Sequence, residues 1–404
     1  MNRRTVLAAA AAALVAGTLG WNGVAAQELT SIKIGAIGPK TGPLAGGAAV
    51  THWPNIQLWV ETVNEKGGIM LSSIGKRVPI ELIEYDDRTS NEEAVKAVER
   101  LATQDEADFI IAPYGTALNL ATAPLFAKHG YPQIAVTAIS DRGPDFVERW
   151  PNSFWVLGSS TAFASAVAEV LKRMREEGTI GDKVAMVNVA DAFGIELANA
   201  GRKAMEDAGF DLVYDKSYPL GTQDLSPVIN EAKRSEPDAF VAFSYPPDTF
   251  ALTEQAGISG LNPKAFYVGV ATAFPGYAGK FGAAAEGVMG AGGVNPNTAK
   301  MKEYRERHME VTGKPADYWA SAVVYASLEL LEQAIERVGK IDRAAVIDEL
   351  RTGEFDTVIG TVKFNNNINE NYWTVGQWQD GTFYGIASTG MEGAKEPILK
   401  PAWN

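Results

Sequence analysis

The chain has no cysteine among its 404 residues. That absence excludes a disulfide framework, a thiol nucleophile, a thiolate metal centre and the acylated cysteine that anchors a bacterial lipoprotein. Histidine is almost as scarce. His52, His129 and His308 stand far apart without metal-ligand partners at helical spacing, so no metal site is indicated. Positive charge is in deficit, with 36 Lys and Arg against 49 Asp and Glu and a formal net charge of −13. Such a surface repels phosphate backbones and argues against a nucleic-acid partner. The sequence also lacks a Gly-x-Ser-x-Gly elbow for a nucleophilic serine. Gly35 to Thr41 has the outline of a phosphate loop, but Pro39 stands where an N–H must face phosphate, and proline has none to give. No catalytic constellation and no cofactor motif emerge, and we expect a protein that is not an enzyme.

What is present begins with Asn2-Arg3-Arg4 and an apolar run from Val6 to Gly20. That run falls short of the ~20 apolar residues a spanning helix needs. Val24-Ala25-Ala26 before Gln27 puts small residues where a signal peptidase cuts, so residues 1–26 read as a signal peptide and the mature chain as a soluble periplasmic protein. Arg3 to Leu7 also resembles a twin-arginine export signal. Cleavage removes two arginines and no acid, which makes the charge still more negative.

At this length and 46% apolar content, one core is too small a container, and two domains are expected. Strand and helix patterns alternate along the chain. Ile32 to Ile37, Val78 to Tyr85, Phe109 to Ala112 and Gln133 to Val136 read as strands. Helices lie between them at Leu44 to Lys66, from Asn91, and at Leu118 to His129. A second series follows Trp150-Pro151, with strands at Phe154 to Leu157, Lys183 to Val189, Leu212 to Lys216, Ala239 to Phe243 and Ala265 to Val268, the last expected to close its sheet. Continuous apolar strands between helices specify parallel sheets covered on both faces. Thr298 to Leu350 is helical, and after Phe355 the pattern turns to short β segments, including one from Tyr372 to Trp378. These late pieces read as additions to the two lobes.

Ligands of open parallel sheets sit beyond the carboxyl ends of the strands. The residues there are Pro39 to Gly47, Tyr114-Gly115-Thr116, Thr137 to Ser140, Asp191 to Phe193, Ser244 to Pro246 and Gly269 to Phe274. Aromatics, small hydroxyls and exposed backbone N–H groups suit a small, largely apolar molecule with one polar head.

Thr41-Gly42-Pro43-Leu44-Ala45-Gly46, Asn64 to Ile69, Glu84-Tyr85-Asp86-Asp87 and Asp356 to Gly360 together resemble the leucine/isoleucine/valine-binding family of periplasmic solute receptors, over nearly the whole mature chain. The resemblance implies an α/β fold of two Rossmann-like lobes with parallel sheets, joined by a hinge of three crossings near Val156 to Gly158, Gly290 to Gly293 and Val358 to Thr361. It divides the chain into an N-terminal lobe of 27–156 plus 292–358 and a C-terminal lobe of 157–291 plus 359–404. It implies a monomeric clamp that passes its ligand to an ABC permease in the inner membrane. A sensor signalling ligand occupancy would look the same. Carried over by position, the hydroxyl gripping a ligand carboxylate falls on Thr116, the backbone groups sharing it on Thr137, Ala138 and Ile139, and the facing aromatics on Phe193 and Tyr245. Amino-acid receptors of the family place an acid where this chain has Ala271, so the expected ligand is an apolar or aromatic carboxylate without an amine, with branched-chain amino acids or amides as the alternative. Asp191 is a candidate helper, and Trp53, Tyr114, Phe274 and Trp319 are candidate aromatic surface.

Overall fold

In the computed structural model, the structure describes residues 29–369, 375–386 and 392–403. The expected signal peptide and the start of the strand expected from Tyr372 lie outside the described residues. The chain opens with β1 (Ile32–Gly38), whose nearly unbroken burial marks a central strand. It continues through α1 (Ala45–Thr51), α2 (Trp53–Glu65), the hairpin β2 (Ile69–Leu71) and β3 (Lys76–Val78), β4 (Ile80–Asp86), α3 (Asn91–Thr103) and β5 (Phe109–Ile111). The single helix expected over Leu44 to Lys66 is thus two, broken at His52, after which Trp53 and Pro54 open α2. Proline suits the first helical turn, where no N–H partner is lost. Ser90 caps α3, its hydroxyl accepting the Glu93 N–H. In the sheet β1 lies between β4 and β5, parallel to both, with Ile34 opposite Leu82 and Phe109. Next come α4 (Thr116–Lys128), β6 (Gln133–Ala135), α5 (Gly143–Arg149) and β7 (Ser153–Trp155), and β6 pairs with β7 in parallel.

The second lobe holds α6 (Ser160–Glu176), β8 (Lys183–Val189), α7 (Ala192–Asp207), β9 (Asp211–Tyr218), α8 (Ser226–Arg234), β10 (Ala239–Phe243), α9 (Pro246–Ser259), β11 (Ala265–Gly269), α10 (Pro275–Phe281) and β12 (Val288–Ala291). Strands β8 to β12 are parallel to their neighbours in the order β12-β11-β10-β8-β9. All five residues of β10 are buried, as a strand covered on both faces requires. The chain then returns to the first lobe with α11 (Ala299–Thr312) and α12 (Ala320–Val338), both packed on α2, followed by α13 (Arg343–Thr352) and the hairpin β13 (Glu354–Thr357) and β14 (Gly360–Lys363). Last, β15 (Val375–Gln379) adds antiparallel to β12 and β16 (Thr382–Gly385) to β15.

Two expectations about connectivity change. Strand β11 does not close its sheet, because β12, β15 and β16 extend it. The chain also stays with the first lobe beyond Val358 to Thr361. Trp155 donates its N–H to the Asn367 carbonyl, the Asn367 amide reaches the carbonyls of Pro151 and Ser153, and Phe364 packs on Phe154 at 5.2 Å.

Candidate ligand-binding site

The carboxyl ends of the two sheets face one another across a narrow cavity. From the first lobe come Tyr114 after β5, Val136, Thr137 and Ile139 after β6, and Leu157 after β7. The other lobe supplies Phe193 in the first turn of α7, Tyr245 at the start of α9, and Val270 and Phe274 after β11; Trp319, Ala320 and Val323 at the head of α12 complete the wall. Among these lining residues there is no Asp, Glu, Lys, Arg or His.

The polar groups lie directly behind that wall. Gly115, at φ +94°, precedes α4, and its lack of a side chain leaves the helix without a side-chain cap. Such an N-terminus offers unsatisfied N–H groups and a partial positive charge. Thr137 Oγ1 accepts the Gly115 N–H at 2.9 Å, and Thr116 Oγ1 meets both the N–H (3.3 Å) and the carbonyl (3.4 Å) of Ile139. These three bonds tie the β5–α4 loop to the β6–α5 loop. Opposite, Phe193 and Tyr245 stack at 4.8 Å, and the Tyr245 hydroxyl donates to Asp191 Oδ2 at 2.9 Å while Asp191 Oδ1 accepts the Gly194 N–H at 2.9 Å. Burial pushes the Asp191 carboxyl up from its ordinary range, and burial together with the Asp191 charge pushes the Tyr245 phenol far up. Tyr114 is likewise raised by burial. Its hydroxyl comes so close to Gly47 that a Cβ there would stand 2.5 Å from it, which is why α1 carries glycine at that point. At the head of α12, Asp317 accepts the N–H groups of Trp319 and Ser321 at 2.6 and 2.8 Å, a buried cap fixing the turn that carries Trp319.

Of the residues singled out in the sequence, Tyr114, Thr137, Ile139, Phe193, Tyr245, Phe274 and Trp319 meet at the cavity. Thr116 and Asp191 stand one hydrogen bond behind it. Three others are placed elsewhere. Ala138 packs into a separate cluster with Phe146, Val147 and Trp155. Ala271 is buried in the core between the lining residues Val270 and Phe274, in the left-handed region at φ +81°. Trp53 is on the outer side of the first lobe. There its indole N–H donates to the Pro39 carbonyl, Lys40 sits 4.5 Å over its ring, and it lines an open groove with Gln57 and Glu84. Sequence reasoning missed Val136, Leu157, Ala320 and Val323, and reached Val270 only as part of the stretch Gly269 to Phe274. An aliphatic side chain next to a strand end or in a first helical turn gives the same signal whether it faces a core or a cavity. Among the described residues no group of three His, Cys, Asp or Glu could hold a metal ion, and no helix is long and apolar enough to cross a membrane.

Two α/β lobes with parallel sheets, meeting at an apolar cavity beyond their strand ends, define a bilobed receptor fold. The chain belongs to the periplasmic binding protein family, whose model matches residues 31–382. A curated relative, the Leu/Ile/Val-binding protein homolog 7 of Brucella suis biovar 1, is 26% identical over 93% of this chain and 94% of its own. Two solved structures share the fold. One is a solute-binding protein of an ABC transporter from R. palustris in complex with benzoate (TM-score 0.75, 17% identity, 91% of this chain and 99% of that one). The other is the branched-chain amino acid transporter substrate-binding protein LivJ of Streptococcus pneumoniae in complex with isoleucine (TM-score 0.75, 20% identity, 89% and 100%).

Proposed function

We propose that this protein is a periplasmic receptor that captures a small apolar or aromatic carboxylate and delivers it to an ABC permease by closure of its two lobes. The observation that carries this reading is the character of the wall: aromatic and aliphatic, free of ionised side chains, and bordered by the uncapped start of α4. A carboxylate can be held there by helix N–H groups and hydroxyls, which stabilise negative charge without a counter-ion. An ammonium cannot, because a buried cation needs an acid, and its desolvation costs several kcal/mol when none is present. Asp191, one hydrogen bond behind the wall, already accepts from Gly194 and Tyr245. In this reading Thr137, the backbone of Ala138 and the first N–H groups of α4 form the carboxylate end, Thr116 and Ile139 hold the two loops together behind it, and Tyr114, Phe193, Tyr245 and Phe274 enclose the apolar body. The benzoate complex of one structural neighbour supports it.

The lobes are proposed to pivot about the crossings at Val156 to Gly158 and Gly290 to Gly293, and residues 364–369, tied to β7, move with the first lobe. Ligand then links the lobes, and the closed form gains population in proportion to the contacts added. The names of the curated relatives favour a branched-chain amino acid instead. Calorimetric titration decides between the two readings. Benzoate-type acids should bind and leucine should not; tight leucine binding without response to the acids overturns the proposal.

A further inference from the structure

The inner cavity has a neighbour. A second, outer space lies between the lobes, lined by Val50 of α1, Pro246, Pro247 and Phe250 of α9, Pro275, and Pro315 ahead of α12. Five of its twelve lining residues are prolines, which present no N–H; Lys314 and His308 are the ionisable residues on it, and the rest of the lining suits hydrocarbon. One residue, Phe274, lines both spaces. Its backbone is pinned: the Phe274 N–H donates to the Ala271 carbonyl at 3.0 Å, its own carbonyl receives the Tyr277 N–H at 2.9 Å, and Pro275 fixes the first turn of α10. The residue is only 6% exposed. The ring is therefore a wall held in place, without any polar bond that its removal would break.

Resting on the carboxylate reading above, we propose that Phe274 sets the length limit of the ligand. Its ring ends the inner cavity and separates it from the outer apolar groove, so the native ligand is a compact acid, a single ring or a short branched chain. Acids extended at the end away from the carboxylate are excluded by contact with Phe274. Removing the ring joins the two spaces and turns the proline-lined groove into a subsite for the extension.

The test is a calorimetric series of benzoates carrying methyl, propyl, butyl and pentyl groups opposite the carboxylate, run on the wild-type protein and on Phe274→Ala. A parallel series of leucine and straight-chain 2-amino acids of increasing length accompanies it. In wild type, affinity should fall with length. In the variant it should rise, by up to about fourfold for each methylene that enters the groove. The same slope in both proteins overturns the assignment of Phe274. If only the amino acids bind, the carboxylate reading fails while the length limit is still read from the second series. A crystal structure of the Phe274→Ala protein gives a readout that needs no ligand: one continuous space supports the partition, and two spaces still separated overturn it.

Discussion

At the scale of single residues, Thr116 shows how a side chain can matter to a ligand without touching it. Its hydroxyl is fully buried and divides itself between the N–H and carbonyl of Ile139, so it sets the distance between the start of α4 and the loop that carries Thr137 and Ile139. Thr116→Ala should strand a buried backbone N–H, cost about 1–3 kcal/mol of stability, and weaken ligand binding together with the melting temperature; Thr116→Ser should restore both. Calorimetry and thermal denaturation on the same preparations check this, and a lowered melting temperature with unchanged affinity would reduce Thr116 to a structural residue. Tyr114, Phe193 and Tyr245 were legible in the sequence because each directly follows a strand or opens a helix at a strand's carboxyl end. Trp53 occupies a similar place in sequence order, yet the turn at His52 sends it outward, where Lys40 and the Pro39 carbonyl occupy its ring and its N–H. Ala271, at the position where the resemblance implies an acid in amino-acid receptors, takes φ of +81° and is buried, while Val270 and Phe274 line the wall. Backbone conformation of that kind leaves no trace in the residue type when glycine is not used.

At the scale of elements, the loop after β6 serves two ends. Thr137 and Ile139 line the cavity, while the next two residues reach the other lobe: Ser140 Oγ donates to Glu196 of α7 at 3.0 Å, the Asp141 N–H donates to the second oxygen of the same carboxylate at 3.1 Å, and the Asp141 carboxylate accepts the N–H of Thr161 at the start of α6 at 2.7 Å. Since Phe193 of the wall lies one turn before Glu196, ligand contact and lobe contact share two short segments. Glu196→Ala should therefore shift the ligand-free protein toward the open form and raise the dissociation constant about three- to tenfold, the range of one or two hydrogen bonds to a half-exposed carboxylate. Small-angle scattering should show a larger radius of gyration without ligand; equal radii and equal affinities for variant and wild type would deny the contact any part in closure. The β/α alternation that builds this geometry was readable because its period and apolar runs repeat. The return of residues 364–369 to β7 was not readable. That stretch, Phe364-Asn365-Asn366-Asn367-Ile368-Asn369, has neither period, its Asn366 and Asn367 take positive φ, and its attachment is made by side-chain amides to carbonyls more than 200 residues away in sequence.

At the scale of the whole molecule, buried ionisable groups decide how stability depends on pH. Burial raises Asp87, at the end of β4, to about 7, and one of its carboxylate oxygens has no hydrogen-bond partner among the described residues. Asp248 in the first turn of α9 is raised to about 6, and Glu329 of α12, which accepts the Val358 N–H, to about 7, both chiefly by desolvation. A carboxyl whose folded pKa lies above its unfolded value stabilises the fold below about pH 4, and that contribution is lost as pH rises through 6 to 7. His52 works the other way. Burial lowers it to about 4 while its ring nitrogen bonds the Ile37 carbonyl, so its contribution is present above about 6.5 and is lost as pH falls toward 4. Between pH 4 and 6.5 the two tendencies oppose, and the raised carboxyls outnumber the two depressed imidazoles, His52 and His308. The excess of 49 acids over 36 bases adds self-repulsion that also grows with pH. The melting temperature should consequently be highest near pH 4 and fall by pH 8, and Glu329→Gln should make that fall smaller, because the amide stays neutral throughout. Calorimetric scans of both proteins at half-unit intervals measure it. A curve that is level from pH 5 to 8, or identical in the two proteins, would mean that these carboxyls remain hydrated in the fold and that their burial carries no energetic weight.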